Sequence, residues 1–375
     1  MADSRVESEV PRGDALELAP PIARVGALRW LRDNLFNSPL NTALTLLCLY
    51  VLWQVIPPLL NWAIFDATIA GNSREACAGV GGACWTFIKV RFDQFIYGFY
   101  PAGQRWRVNL AFVILILAVV PLFLPRFRHK MALGLGLIFV YPLIAYVLFY
   151  GGMLGLPTVP TARWGGLFLT LVIAGVGIVA SLPIGIVLAL GRRSDEMPVV
   201  RLLSTAFIEL MRAVPLITVL FMASVMLPLF LPEGVNFDKL VRALVGVMLF
   251  SSAYMAEVVR GGLQAIPKGQ YEAAKALGLS YWKMMGLIVL PQALRIVIPG
   301  IVNTFIGLFK DTTLVLIIGL FDLLGIVQAA LTDPQWLGFS IEGYVFAGFC
   351  FWIFCFAMSR YSMHLERKLG AGLKR

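Results

Sequence analysis

Long uncharged apolar windows, separated by short basic clusters, set the pattern of this chain. Stretches without a single Asp, Glu, Lys or Arg run through 34–65, 108–125, 131–162, 164–191, 213–232 and 343–359. A helix that crosses a bilayer needs about 20 apolar residues. Backbone groups in hydrocarbon must be satisfied internally, and these windows lack the polar–apolar alternation of barrel strands. The pattern predicts an all-α integral membrane protein with about eight transmembrane helices. They are placed near 40–62, 108–125, 131–152, 164–190, 205–230, 240–260, 286–309 and 342–361. A loop of roughly 45 residues separates the first two, and the first three form a group apart from the later five. Lys310-Asp311 interrupts the apolar run after the seventh span. Residues 312–331 are apolar again except for Asp322, and read as a re-entrant segment or a surface helix buried against the bundle.

Composition strengthens this reading. Hydrophobic residues make up 59% and charged residues 14%, far from the balance of a soluble domain. With a mean hydropathy of +0.82, one globule cannot hide the apolar surface. The net charge of +10 raises nucleic acid as a partner, but the basic residues sit just past helix ends, as in Arg126/Arg128/Lys130 and Arg192/Arg193. That placement signals topology rather than a nucleic-acid surface.

Orientation follows from the same residues. With the N-terminus inside, the inner segments hold those two clusters together with Arg201, Arg260/Lys268/Lys275/Lys283 and Arg360/Arg367/Lys368/Lys374/Arg375. The short outer segments 151–163, 231–239 and 331–342 hold only Arg163 and Lys239 as bases, with Glu233, Asp238, Asp333 and Glu342 as acids. The loop 63–107 departs from the rule with Arg74, Lys89, Arg91, Arg105 and Arg107, but loops of that size cross readily. An even number of spans then puts both termini in the cytoplasm. Residues 1–38 read as a cytoplasmic tail of mixed charge, with no apolar core of a secretory signal. Trp53, Trp62, Trp106, Trp164 and Trp336 read as interface anchors.

Cysteine and histidine are scarce, which leaves no metal site in view. Cys48, Cys350 and Cys355 lie in apolar windows as small hydrophobes. Cys77 and Cys84 share a polar Gly-rich loop, where either a disulfide or a pair of free thiols fits.

The polar stretch that follows the sixth span is the most informative. Pro267 and Gly269 break the preceding helix, and an Ala-rich helix restarts over 271–279 with Gly278 where it would turn. Ala273, Ala274 and Leu277 fall on one face, leaving Glu272 and Lys275 wet. Glu-Ala-Ala alone is common in linker helices. The full spacing E-A-A-x3-G-x9-I-x-L-P, from Glu272 through Gly278 to Ile288, Leu290 and Pro291, on the inner side between two spans, is not.

That spacing resembles the ATPase-docking loop of ABC importer permeases. Residues 206–216, 252–262, Lys310-Asp311-Thr312-Thr313-Leu314 and Ser359-Arg360-Tyr361-Ser362 resemble segments of permeases that import polar amino acids. The three spans before residue 160 resemble the longer permease subunit of general, broad-specificity L-amino-acid importers. The resemblance implies a five-helix permease core over 161–375 with its coupling loop near 261–291. A three-helix accessory region over 39–160 precedes it, with a periplasmic loop near 63–107. It implies import by alternating access in the bacterial inner membrane, with Tyr271, Glu272, Ala273, Ala274, Gly278, Leu290 and Pro291 as the ATPase-coupling residues. The chain holds no G-x4-G-K-[ST] phosphate loop and is not expected to be an enzyme or to bind a cofactor itself. ATP and Mg would be used by a cytosolic ABC ATPase dimer. A periplasmic amino-acid-binding protein and a second, related permease would be the further partners, beside membrane lipid.

Charged residues in or near spans are candidates for the solute path. Tyr254 and Glu257 lie one helical turn apart and either face a common cavity or leave Glu257 as an i,i+3 partner of Arg260. Glu209 and Arg212 read as another such pair. Lys310, Asp311 and Thr312 offer both charges to a zwitterionic solute, or else neutralise one another or mark a span end. A self-sufficient secondary transporter or channel is the alternative function; it predicts charges in the middle of several spans, and the few mid-span charges here and the Glu272 helix disfavour it.

Overall fold

Charge-free stretches of this length leave the backbone one option, and the computed structural model is built almost wholly of helices. It describes residues 27–370 except Val80, Pro125, Arg126, Glu233 and Asn236. Most of the expected N-terminal tail, together with Arg126, Glu233, Lys374 and Arg375, therefore lies outside the described residues.

The chain divides into two compact units, one of residues 1–67 and 79–83, the other of 68–78 and 84–375. In the first, a short helix α1 (Ala27–Leu35) precedes α2 (Pro39–Leu60), which ends in a π turn Asn61–Phe65. Ser38 caps α2, its hydroxyl accepting from the Asn41 N–H, and Pro39 occupies the first turn, where its missing N–H costs nothing. The α2 helix is apolar on every side and buries none of its residues, as a lone membrane span does.

The second unit starts with α3 (Trp85–Tyr97) and continues through α4 (Arg105–Phe123), α5 (Lys130–Phe139) and α6 (Tyr141–Tyr150). Next come α7 (Gly166–Arg192), α8 (Pro198–Ala213), α9 (Leu216–Phe221), α10 (Leu227–Phe230) and α11 (Lys239–Ala265). The chain closes with α12 (Lys268–Ala276), α13 (Tyr281–Met284), α14 (Leu290–Ile296), α15 (Ile298–Asp311), α16 (Leu323–Leu331) and α17 (Ser340–Gly370). Among the described residues, seven helical segments are long and apolar enough to cross a membrane, or eight if one bent pair counts as a span.

The bent pair replaces the straight helix expected over 205–230. It starts at Pro198 and turns through 104° between Ala213 and Leu216. The cause is local: Pro215 pushes Val214 into an extended conformation (φ −108°, ψ 147°), so the helix ends there and another begins. The span expected over 286–309 also differs. It contains a π turn over Met285–Val289 and a break at Val297, then continues past Lys310-Asp311 into a 3₁₀ turn, Thr312–Ile318. The charged dipeptide does not interrupt the helix. Beyond it, α16 is a short buried helix capped by Asp322, whose carboxylate accepts from the Gly325 N–H.

Close approach of α7 and α11 forms the spine of the unit. A methyl at Gly185 would lie 2.8 Å from Met255, so these helices meet through a missing side chain. Around this seam lie two apolar clusters, one led by Phe168, Leu169 and Val247 and one by Met255, Val259 and Val289. A third joins α3 to α16 and α17 through Phe87, Phe95, Ile326 and Trp336.

The segment that leads into α3 is tied down in several ways. Cys77 and Cys84 form a disulfide with Cα atoms 5.8 Å apart, which settles the choice between bridged and free thiols. The Glu342 carboxylate accepts from the Cys84 N–H at 3.0 Å, Arg91 pairs with Asp333, and the Arg74 guanidinium lies over Phe339. Single bridges join Gly98 to Trp164 and Gly165 to Phe321.

Candidate functional site

The segment after α11 is shaped by one proline. Pro267 has no N–H for the Leu263 carbonyl, so α11 stops, and α12 starts at once at Lys268 with Gly269 inside it. The expected helix over 271–279 therefore begins earlier. It ends as its sequence foretells: Gly278 is left-handed at φ +71°. The Gly278 N–H donates to the Lys275 carbonyl at 2.9 Å and the Leu279 N–H to the Ala274 carbonyl at 3.2 Å. These two bonds make a Schellman termination, and Leu279 joins Ala274 in the apolar cluster beneath it.

Only Ala274 of the expected apolar face is buried, against Met284, Met285 and Val289. Ala273 is exposed and Leu277 is 76% exposed, so they do not share that face. Glu272, Trp282 (69%) and Leu287 (71%) are exposed as well. Large apolar side chains left in the open at and after a rigid helix end suit a protein partner. Leu290 and Pro291 start α14, with Pro291 in the first turn, where its ring fits.

Tyr271 points the other way. Its hydroxyl donates to the orphaned Leu263 carbonyl at 3.0 Å and accepts from Arg193 Nη1 at 2.6 Å. The Arg193 guanidinium lies 4.7 Å from the ring centroid and also donates to the Leu263 carbonyl at 3.2 Å. Gln292 adds a second tie, donating to Gln270 at 3.2 Å and to the Ile288 carbonyl at 2.9 Å.

A charge cluster lies across the neighbouring ends of α7, α8 and α11. Glu257, its side chain 16% exposed, pairs with Arg192 at 2.7 Å, with Arg260 at 2.7 Å and with Arg212 at 3.6 Å. Glu209 pairs with Arg192 at 2.8 Å rather than with its helix neighbour Arg212. Arg212 instead lies 5.8 Å from the ring centroid of Tyr254, which is exposed. Three guanidinium groups face two carboxylates, leaving one positive charge in excess. Glu257 thus pairs with Arg260, and the cluster reaches the Tyr254 ring through Arg212.

Lys310, Asp311 and Thr312 do not join this cluster. Lys310 is exposed, whereas Thr312 is buried with its hydroxyl donating to the Phe309 carbonyl at 2.8 Å. Among the described residues no ion pair links Lys310 to Asp311 or either of them to Glu257. The sequence reading missed Arg192 and Arg193 as parts of the site, because basic residues at a helix end look like topology signals. The Leu263–Pro267 spacing was the available clue, since it leaves a carbonyl in want of a donor.

Comparison with known proteins bears on both places. Residues 181–371 match the family described as the binding-protein-dependent transport system inner membrane component. Over 346 residues the chain is 59% identical to the inner membrane amino-acid ABC transporter permease protein YhdY of Escherichia coli strain K12, covering 92% of this chain and 94% of that one. It is 42% identical, over 94% of this chain and 96% of the other, to the glutamate/glutamine/aspartate/asparagine transport system permease protein BztC of Rhodobacter capsulatus. A crystal structure of an amino acid ABC transporter with histidines is 27% identical over 54% of this chain and 92% of that chain, with a TM-score of 0.48. The exposed helix between two spans sits inside the matched region, and near full-length identity extends the kinship to the spans before it. The chain belongs to the family of binding-protein-dependent transport system inner membrane components, and it is a multi-pass ABC transporter permease.

Proposed function

We propose that this permease imports polar L-amino acids from periplasm to cytoplasm by alternating access, driven by a cytosolic ABC ATPase dimer that docks on α12. The observation that carries the reading is the α12 surface. A helix fixed at both ends by Pro267 and the Gly278 turn presents Glu272, Ala273 and Leu277 outward. A partner that changes shape with nucleotide binds such a rigid projection and moves the bundle, provided its contact differs between two states. The partner ATPase would use ATP and Mg; this chain supplies the surface.

The wider assembly includes a periplasmic amino-acid-binding protein and a second, related permease. The membrane is the bacterial inner membrane, with both termini and α12 on the cytoplasmic side. The basic residues at the ends of α7 and α11 and the oxidised Cys77–Cys84 pair at the opposite side support that orientation. The substrate class rests on the relatives, whose names state amino-acid transport. It gains support from the excess positive charge beside Tyr254 and Glu257, which suits a solute carboxylate. Lys310, Asp311 and Thr312 keep a place in the proposed path only as a separate station. The secondary-transporter alternative has no such support.

The test is recovery of the tagged chain from gently solubilised membranes, with companions identified by mass and uptake of labelled amino acids measured in the same cells. Recovery of an ATPase with a phosphate loop and a second permease, and uptake that depends on this chain, is the expected result. Recovery of this chain alone at every detergent strength, with uptake unaffected by its removal, would overturn the reading.

A further inference from the structure

Two adjacent arginines at the end of α7 reach in different directions. Arg193 turns to α12, where it stacks on Tyr271 and shares the Leu263 carbonyl with the Tyr271 hydroxyl. Arg192 turns to the charge cluster, where it holds Glu257 of α11 and Glu209 of α8. One helix end therefore touches both the docking helix and the polar cluster beside Tyr254.

The chemistry at the joint has a simple origin. Pro267 deprives the Leu263 carbonyl of its helical donor, and the last turn of α11 carries partial negative charge. A guanidinium and a phenol supply the missing donors. Each belongs to a different element, so a defect that ends one helix becomes the knot that binds three. Among the described residues α12 is also tied to the bundle by the small buried Ala274 and the Gln270–Gln292 hydrogen bond. Gln292 belongs to α14, and the apolar cluster around Ala274 takes in Ala189 and Leu190 of α7. The Arg193–Tyr271 pair is the polar, directional path from α12 to the end of α7 and, one residue on, to Glu257.

The joint is also exposed on its Arg193 side. An exposed cation–π contact contributes little to folding, so its loss leaves the bundle intact. What such a contact does is transmit displacement. A planar guanidinium held to a ring and a carbonyl keeps its geometry when pushed, and its neighbour carries the displacement to two carboxylates.

We infer that Arg192 and Arg193 form a transmission element: displacement of α12 passes through Tyr271 and Arg193 to the end of α7, and through Arg192 to the Glu257–Glu209 cluster that borders the solute path. Both are positioning residues that act through others. The inference rests on the docking role proposed above for α12.

The experiment uses the whole complex reconstituted in lipid vesicles, with solute transported and ATP hydrolysed measured on one sample. Arg193→Ala is expected to assemble at the wild-type yield and to lower solute moved per ATP by about tenfold, the size of a lost coupling of ordinary strength. Tyr271→Phe keeps the ring but loses the hydroxyl, and is expected to lower the ratio about threefold. Arg193→Lys restores a donor and a charge, and is expected to recover about half of the wild-type ratio. Because the two side chains act on one path, Tyr271→Phe adds nothing in the Arg193→Ala background. An unchanged ratio in Arg193→Ala overturns the inference. So does a loss of transport that tracks only a loss of assembled complex, or full independence of the two substitutions. If the wild-type chain recovers no ATPase at all, the importer reading itself fails and this inference goes with it; an intact wild-type complex with an unchanged Arg193→Ala ratio sinks the inference alone.

Discussion

The two ends of the second unit are held by opposite kinds of contact. Around α3 and α16 the main ties are covalent or buried, the Cys77–Cys84 bridge and Phe87 among Phe95, Trp336 and Phe339, with the half-buried Arg91–Asp333 pair beside them. Around α12 the ties are polar and near the surface: Arg193 on Tyr271, Gln292 on Gln270, and one buried alanine. Buried aromatic packing resists displacement, because few alternative arrangements fill the same space. Surface hydrogen bonds exchange readily with water and yield at small cost. The first end is a fixed frame and the second a joint. The function proposed above, with an ATPase moving one side and a binding protein loading the other, calls for that division.

The largest effect is expected where the joint meets its partner. Gly278→Asp should bring uptake to background while the chain remains in the membrane. Within this chain a side chain at 278 meets open space, so nothing in the bundle opposes it. The left-handed conformation at φ +71° costs roughly 1 kcal/mol for Asp, too little to unfold the bundle. On the reading proposed above, the new charge instead faces the docking ATPase. Normal uptake with Gly278→Asp would show that α12 is not the docking helix, and Gly278→Ala separates strain from charge.

Next comes the polar cluster, which lies between frame and joint. Glu257→Gln keeps the volume but leaves Arg192, Arg212 and Arg260 facing one another with Glu209 as the remaining acid. The partners are a quarter to a half exposed, so solvent screening reduces the cost of breaking one side of this network to about 1 kcal/mol. The thermal midpoint in detergent should fall by a few degrees, and uptake with it. A midpoint equal to wild type would mean that the cluster is solvated and contributes nothing to the bundle.

How much of this comparison was legible before the fold was known differs between the ends. Helical class, span number and the short helix that ends at Gly278 followed from charge-free windows and from the Pro267, Gly269 and Gly278 positions, because bilayer thickness and helix termination are local constraints. The bend at Pro215 was equally local, yet the apolar run through it hid the break. The frame around α3 was not legible. Glu342 lies 258 residues from Cys84, and Trp336 is nearly as remote from Phe87, so their meeting depends on how separate helices pack. The same holds for Glu209, whose partner is Arg192 on another helix rather than Arg212 one turn away. Tyr271 shows the limit most sharply: its place on the short helix was legible, but its direction, inward to Arg193, depends on the neighbouring helix end.

The frame itself is tested by opening its covalent tie. Replacing Cys77 and Cys84 together by serine removes a cross-link that closes a short loop, which loop-closure entropy values at about 2 kcal/mol. The midpoint should drop without loss of the membrane-inserted fold, and reductant should lower the wild-type midpoint but not that of the double variant. If reductant leaves the wild type unchanged, the frame is set by Phe87 and its aromatic neighbours alone.

The smallest expected effect lies where the frame meets the core. Asp322 is fully buried, its Oδ1 accepting from the Gly325 N–H while Oδ2 finds no partner among the described residues. Burial pushes its carboxyl up to about 6. Between its unfolded value near 4 and this raised value, the folded chain holds a proton that the unfolded chain has released. Stability therefore falls as pH rises through that window, the reverse of the behaviour of an ion-paired carboxylate. From pH 5 to 7.5 the loss amounts to about 1 kcal/mol for this one group. Asp322→Asn keeps the helix cap and removes the titration, so its midpoint should vary less with pH than that of the wild type. Equal pH profiles for the two proteins would mean that water reaches Oδ2, and that this part of the frame is open rather than dry.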